Sequence, residues 1–121
     1  MNKIIMALSL CVASSAPWAA PTTICTTGTG TATTVGTNMF TKVTFTPKCS
    51  ANTSVAFDET ANTAAVGAIS TKGNQIFSGH SNGGAVTLRP GTSSCGTTAA
   101  TPCAAGDATT AATDALTASS S

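Results

Sequence analysis

The sequence predicts an all-β fold: a small, disulfide-braced antiparallel sandwich or barrel with a Thr/Gly-rich N-terminal arm and a low-complexity C-terminal tail. Short segments with alternating apolar residues are separated by turn signals about every 8–12 residues, which is typical of such folds. An even number of cysteines follows the leader. The stretch from Asn38 to Arg89 holds all four phenylalanines, Phe40, Phe45, Phe57 and Phe77, so it is the part predicted to form the core.

Residues 1–19 have the build of a secretory signal peptide. Lys3 supplies a positive charge, Ile4–Ala13 is an apolar run, and small residues follow up to a predicted cleavage after Ala19. The apolar run is about half as long as the roughly 20 residues that a membrane-spanning helix needs. We therefore expect no stable membrane span and a secreted or cell-surface protein, exported through the periplasm if the cell is Gram-negative. The remaining predicted units are an arm at 20–37, a β domain at 38–103 and an Ala/Thr/Ser-rich tail at 104–121.

Four cysteines remain after the leader: Cys25, Cys49, Cys95 and Cys103. In a short secreted chain an even number predicts disulfides. Cys95 and Cys103 flank a short loop that can close on itself, in which case Cys25 would pair with Cys49, although the spacing allows all three pairings. A zinc site is disfavoured because the chain has no C-x-x-C motif and its one histidine lies far away.

The arm is rich in Thr and Gly, and its apolar residues show little periodicity. We therefore expect either an edge strand or a segment that stays loose until it pairs. Five segments after it have strand character, and Met39–Thr46 has the clearest alternation. Turns are predicted at Asp58–Asn62, Lys72–Asn74 and Ser81–Gly84. The other four segments are Asn52–Asp58, Thr63–Ser70, Gln75–Ser78 and Ala85–Arg89.

In the tail, Asp107 is suited to cap a short helix through Leu116, because Asp caps well and Ala favours helix. An isolated helix of about ten residues is marginal in water. We therefore expect the tail to be frayed or disordered.

Gly79-His80-Ser81-Asn82-Gly83 resembles the nucleophile elbow of lipases and other α/β-hydrolases, a likeness that implies a nucleophilic role for Ser81. A catalytic triad needs a separate histidine as base, and the only histidine is His80, inside the motif. Asp58 and Glu59 are adjacent, so on a strand they face opposite ways and do not share an acid/base site. We predict no catalytic residues, no metal site and no cofactor.

Charged residues make up only 7% of the chain, against roughly 25% in ordinary soluble domains. The formal charge of +1 gives no sign of the basic surface that a nucleic-acid-binding protein needs. Since charge is what keeps most proteins apart, a chain with so little of it is weakly protected against self-association.

The chain consists of a leader, a Thr/Gly arm with Cys25, a β-core that opens at Lys42–Cys49, and a low-complexity end. This plan resembles that of small secreted bacterial surface proteins, such as pilin-like or matrix-fibre subunits. In chaperone–usher pilins an N-terminal arm completes the sheet of the next subunit. The resemblance implies that the arm, with Ile24 and Val35 as its large apolar residues, is an assembly element and that Cys25 and Cys49 brace the core. The alternative is that the arm folds back onto its own domain and has no role in assembly.

These observations favour a structural role for the protein, as a self-associating subunit of an extracellular fibre or biofilm matrix. The alternative is a monomeric secreted module that binds a cell-surface glycan, another surface or ice. The Thr-x-Thr rhythm at Thr27–Thr31 and Thr44–Thr46 is the feature that suggests ice binding. An enzyme is the least favoured class, because no complete catalytic constellation is present in the sequence.

Overall fold

The computed structural model describes residues 20–26, 30–36, 39–83, 85–89, 95 and 102–119. The leader at residues 1–19 lies outside the described residues. One antiparallel sheet of six strands runs in the order β2-β1-β3-β4-β5-β6, and one helix packs against it. The elements are β1 (Thr22–Thr26), β2 (Thr31–Ala32), β3 (Thr53–Glu59), β4 (Ala64–Ser70), β5 (Ile76–His80), β6 (Thr87–Leu88) and α1 (Ala105–Ser119).

The predicted mainly β, antiparallel and disulfide-braced domain is confirmed. The sheet as described is open, with β2 at one edge and β6 at the other, rather than closed into a sandwich or barrel. Its second layer is the helix α1, which packs against β3, β4 and β5. The described residues therefore form one sheet with one covering helix.

The middle of the sheet is a meander of three strands, β3, β4 and β5, joined by tight turns. The predicted turn at Lys72–Asn74 connects β4 to β5, and the Gly73 N–H donates to the Ser70 carbonyl at 3.0 Å. The predicted turn after Ser81 follows β5, with Gly83 at a φ of 103° that suits glycine. Local alternation and turn residues thus predicted these three strands to within two residues, but the turn predicted at Asp58–Asn62 begins too early, because Asp58 and Glu59 belong to β3.

The C-terminal segment forms the helix α1, so the expectation of a frayed or disordered tail is wrong. The side chain of Asp107 accepts a hydrogen bond from the Ala104 N–H at 2.8 Å, which satisfies a backbone donor ahead of the first turn. One side of the helix is buried at spacings of three and four residues. Its buried residues are Ala108, Ala111, Ala112, Ala115 and Leu116.

Packing against the sheet stabilises a helix that would be marginal alone. The layer between α1 and the sheet consists largely of alanine, together with Ile69, Ile76 and Leu116. Gly67 on β4 lies directly beneath the helix, where any side chain would collide with the helix backbone. Small residues on both layers let the helix approach closely, because they remove the side chains that would hold the two layers apart.

The core therefore differs from the predicted one. Phe40, Phe45 and Phe77 are exposed by 38%, 48% and 43%, whereas the alanines of α1 are fully buried or nearly so. Six of the thirteen buried apolar residues in the described part of the chain lie beyond Arg89, outside the stretch that was predicted to form the core.

Met39–Thr46, the segment with the clearest alternation, is not a strand of the sheet. The backbone N–H groups of Phe40 and Thr41 donate to the Glu59 carboxylate at 3.0 and 2.9 Å, and these are donors that a ladder would have used. Only Phe45 forms a bridge, with Val35. A carboxylate on a distant strand thus competes successfully with β pairing.

The arm is folded into its own domain. Strand β1 lies between β2 and β3, and β2, which also belongs to the arm, is the edge strand of the sheet. The described part of the arm is therefore paired and not loose. Ile24 and Val35 are buried, at 6% and 4% exposure. In the single chain the arm therefore folds back onto its own domain, which is the alternative to an arm that pairs with another subunit.

Both disulfides join the cysteines that the spacing favoured. Cys25 pairs with Cys49 and ties β1 to the segment before β3. Cys95 pairs with Cys103 just before α1, and the Cys103 N–H donates to the Gly73 carbonyl in the β4–β5 turn at 3.2 Å. The second bridge thus fixes the start of the helix beside the sheet.

Candidate functional site: the open face of the sheet

The serine motif occupies the end of β5 and the turn after it. Ser81 lies in that turn, and its Oγ accepts a hydrogen bond from the Ala64 N–H at 3.0 Å. His80 Nδ1 is buried and has no hydrogen-bond partner among the described residues. No described contact joins this histidine to the serine, so the local geometry gives Ser81 a role in the turn.

Asp58 and Glu59 were predicted to lie in a turn, but both are buried on β3, and their carboxylates point to opposite sides of the strand. Asp58 faces the helix, where its Oδ2 accepts a hydrogen bond from Thr113 Oγ1 at 3.0 Å. Glu59 faces the other way and receives the backbone N–H groups of the 39–41 segment. Each carboxylate therefore holds a separate part of the chain against the sheet.

Burial raises the pKa of Glu59, but hydrogen bonds from the backbone of Thr41, Phe40 and Met39 outweigh it, so its pKa lies below the ordinary value of 4.5. The carboxylate therefore stays ionised at neutral pH. Its charge is balanced by aligned N–H dipoles, since no cation contacts it in the described part of the chain.

One group of potential metal ligands exists among the described residues: Cys95, Cys103 and Asp107, whose ligand atoms lie within 4.8 Å of one another. Both cysteines are joined in a disulfide, so neither offers a thiolate to a metal ion. The Asp107 carboxylate is engaged with the start of α1. As it stands, this cluster is a structural brace.

The two faces of the sheet differ in what covers them. One face carries Ala56, Gly67 and Ser78 side by side on three strands, and α1 lies over it. The opposite face carries two apolar ranks across neighbouring strands. The first rank is Val55, Ala68, Phe77 and Leu88, and the second is Phe57, Val66 and Gly79, with Val86 beside Gly79.

On the β4–β6 half of that opposite face the apolar side chains are left exposed. Val66 is exposed by 39%, Phe77 by 43% and Leu88 by 46%, while Val86, just before β6, reaches 73%. We call these four side chains and the intervening Gly79 the open face. Scattered apolar residues are ordinary on a surface, but a contiguous group marks a contact site.

The open face also has relief. Gly79 has no side chain, and a shallow hollow of about 270 Å³ lies over it between Val66 and Val86. Phe77 stands two residues away on the same strand and face, as a projecting ring. A knob and a hole therefore lie side by side on β5.

Charge is missing from this region as well. Strands β4, β5 and β6 contain no Asp, Glu, Lys or Arg. The nearest cation beyond β6, Arg89, is paired with Asp114 of the helix through its Nε at 2.7 Å. No basic residue on the strands is placed to receive an anionic ligand.

Sequence reasoning placed assembly residues in the arm and missed the open face. A signal was present: Ile76-Phe77 puts large apolar residues on both faces of a short strand, and Val86 and Leu88 put two more on one face of the next segment. Which face stays uncovered depends on where the helix packs, and that is not a local property.

Two further observations complete the picture of the chain. Among the described residues no helix combines the length and apolar character needed to cross a membrane. No protein-family model, curated protein or solved structure matches this chain.

Proposed function

We propose that the protein is a secreted structural subunit that self-associates into an extracellular fibre or biofilm matrix. The observation that carries the proposal is the open face, which leaves Val66, Phe77, Val86 and Leu88 in contact with water in the single chain. Burying apolar surface of this kind is the main driving force for association between proteins.

Two further features support an extracellular structural role. Both disulfides are compatible with an oxidising compartment, where they persist without reduction. The small charge of the whole chain, +1, gives little repulsion between copies. A subunit built to accumulate outside the cell benefits from both.

The arm has a different place in this proposal than the pilin resemblance implies. Exchange of β1 between subunits would require it to leave its position between β2 and β3 and to expose Ile24. Face-to-face contact requires no such rearrangement. The role of Ile24 and Val35 as assembly residues stays a prediction that depends on strand exchange.

The test is the assembly state of the exported protein over a wide concentration range. Sedimentation velocity should show concentration-dependent oligomers, and negative-stain microscopy should show ordered assemblies at high concentration. A protein that remains monomeric up to millimolar concentration would falsify the structural role.

One observation favours the alternative of a binding module. A cleft of about 220 Å³ lies between β5 and the end of α1, lined in part by Ser78, His80 and Thr87. These three side chains give the cleft polar groups of the kind that fix a sugar hydroxyl. Saturable binding of an oligosaccharide by a monomer, lost in His80→Phe, would establish this function instead.

A further inference from the structure

We infer that the open face is a self-complementary interface, on which a second copy of this chain packs its own open face around a two-fold axis. This inference rests on the proposed function and specifies the surface that carries it. It assigns the first contact of assembly to β4–β6 and not to the arm.

The relief of the surface favours a second copy as its occupant. Phe77 projects and Gly79 leaves a hollow, and the two positions are neighbours on one face of β5. When two β5 strands cross antiparallel about a two-fold axis, each phenyl ring lies over the glycine of the other strand. The hollow of about 270 Å³ has room for such a ring. An isologous interface needs a surface that fits itself in this way.

Charge points to the same occupant. A surface that recognises nucleic acid or an anionic membrane would carry Lys or Arg, and strands β4–β6 have none. A neutral face can meet itself without bringing like charges together. Aromatic and branched apolar residues with no charge are the composition typical of the centre of an interface.

The rest of this chain offers little to cover the face. Outside the leader, the residues that the structure does not describe are Thr, Gly, Asn, Pro, Ser and Ala, so they include no large apolar side chain. Among the residues that the structure does not describe, only 1–19 include large apolar side chains, and this leader is predicted to be removed. The leader, if retained, is the competing occupant.

The size of the face sets the expected strength. Strands β4, β5 and β6 are seven, five and two residues long. At about 3.3 Å per residue and about 4.8 Å between strands, this three-strand surface has a flat outline of roughly 200 Å². Each partner in a standard interface buries about 800 Å². A single pairing is therefore weak, and we expect dimers to form over micromolar to millimolar concentrations.

The test compares wild type with Val86→Lys in the exported protein. Val86 is 73% exposed, so the substitution leaves the fold intact and places a charge in the proposed interface. Thr117→Lys is the matched control, because Thr117 is exposed on α1, on the other side of the sheet. We expect Val86→Lys to weaken dimerisation at least tenfold in sedimentation equilibrium and Thr117→Lys to leave it unchanged.

A charge exchange tests the two-fold geometry. Val86→Glu should be as monomeric as Val86→Lys, and mixing the two variants should restore dimers that salt weakens. If Val86→Lys unfolds, as shown by thermal melting, Phe77→Ser takes its place with the same expectation of weaker dimers.

The outcomes separate the interface from the proposed function. Assembly of Val86→Lys and Phe77→Ser at wild-type strength overturns the interface and leaves the structural role standing. A monomeric wild type overturns both. Two other results would identify a different occupant and also overturn the pairing. One is flotation of a monomeric wild type with phosphatidylcholine vesicles. The other is a retained leader that protease cleaves in Val86→Lys but not in wild type.

Discussion

A Cβ atom added to Gly67 would lie 2.1 Å from the carbonyl oxygen of Ala108, far inside van der Waals contact. The same atom would lie 2.6 Å from the backbone nitrogen of Ala112. The backbone of α1 therefore rests on the backbone of β4. Neither obstacle is the end of a flexible side chain, so only a shift of the helix would relieve the collision.

Gly67→Ala should destabilise the protein by about 3 kcal/mol or more, because the helix must move away from a tightly packed layer. Gly106→Ala is the matched control, since a side chain there meets nothing within 4 Å. In the first turn of α1 that alanine should be neutral or stabilise by up to about 1 kcal/mol. Urea unfolding followed by circular dichroism measures both, and equal stability of the two variants would contradict the close packing.

Thr113→Val should cost about 1–3 kcal/mol, because it leaves the buried Asp58 carboxylate without the hydroxyl that donates to it. Thr110→Val provides the comparison, because the Thr110 hydroxyl donates to the Gly106 carbonyl within the helix and the residue is exposed. Chemical unfolding of the two variants should differ by at least about 1 kcal/mol. Identical values would mean that the contact between α1 and β3 adds nothing to stability.

Both disulfides should stabilise the fold, and the bridge that closes the longer loop should matter more. The paired cysteines are 24 residues apart for Cys25–Cys49 and 8 apart for Cys95–Cys103. In the chain-entropy model these loops correspond to about 3.5 and 2.5 kcal/mol. Replacing each pair with serines and measuring the free energy of unfolding tests the order, and peptide mapping without reductant tests the pairing.

Stability should fall in acid through Glu59. Its folded-state pKa lies below 4.5, so the folded protein holds the proton less tightly than the unfolded chain does. The stabilisation is therefore complete above the unfolded value and is lost as the pH falls through the lower folded value. Glu59→Gln should remove much of this pH dependence and destabilise the protein at neutral pH by about 1–3 kcal/mol. Melting curves of both proteins from pH 7 to pH 2 measure it; parallel pH profiles would count against this role.

Ser81 should not behave as an activated nucleophile, because the sequence offers no second histidine and Ser81 Oγ contacts the backbone of Ala64. A fluorophosphonate probe should leave the folded protein unlabelled. Ser81→Ala should leave both assembly and stability close to wild type. Stoichiometric labelling of this serine would reopen the hydrolase interpretation.

What could be predicted from the sequence follows the range of the interactions involved. Strands β3, β4 and β5 and the turn at Lys72–Asn74 were predicted because alternation and turn residues are properties of neighbours in the chain. The two disulfide pairs were favoured by the short spacing of Cys95 and Cys103. These features need no knowledge of the rest of the fold.

The features that could not be predicted from the sequence depend on contacts between distant residues. Helix α1 exists because its alanines meet Gly67 and its neighbours, about 40 to 50 residues earlier in the chain. Met39–Thr46 has good alternation, but Glu59 takes its backbone donors. The open face follows from the helix covering the other side. None of these outcomes can be read from a local pattern.

The place of α1 after the strands bears on the order in which the molecule matures. A chain that leaves a ribosome or an export channel with its N-terminus first presents all six strands before the helix appears. Until Leu116 emerges, Ala56, Ile69 and Ile76 lack the layer that buries them. Until then the sheet has apolar residues open to water on both sides, and an intermediate in that state is a species on which a chaperone would act.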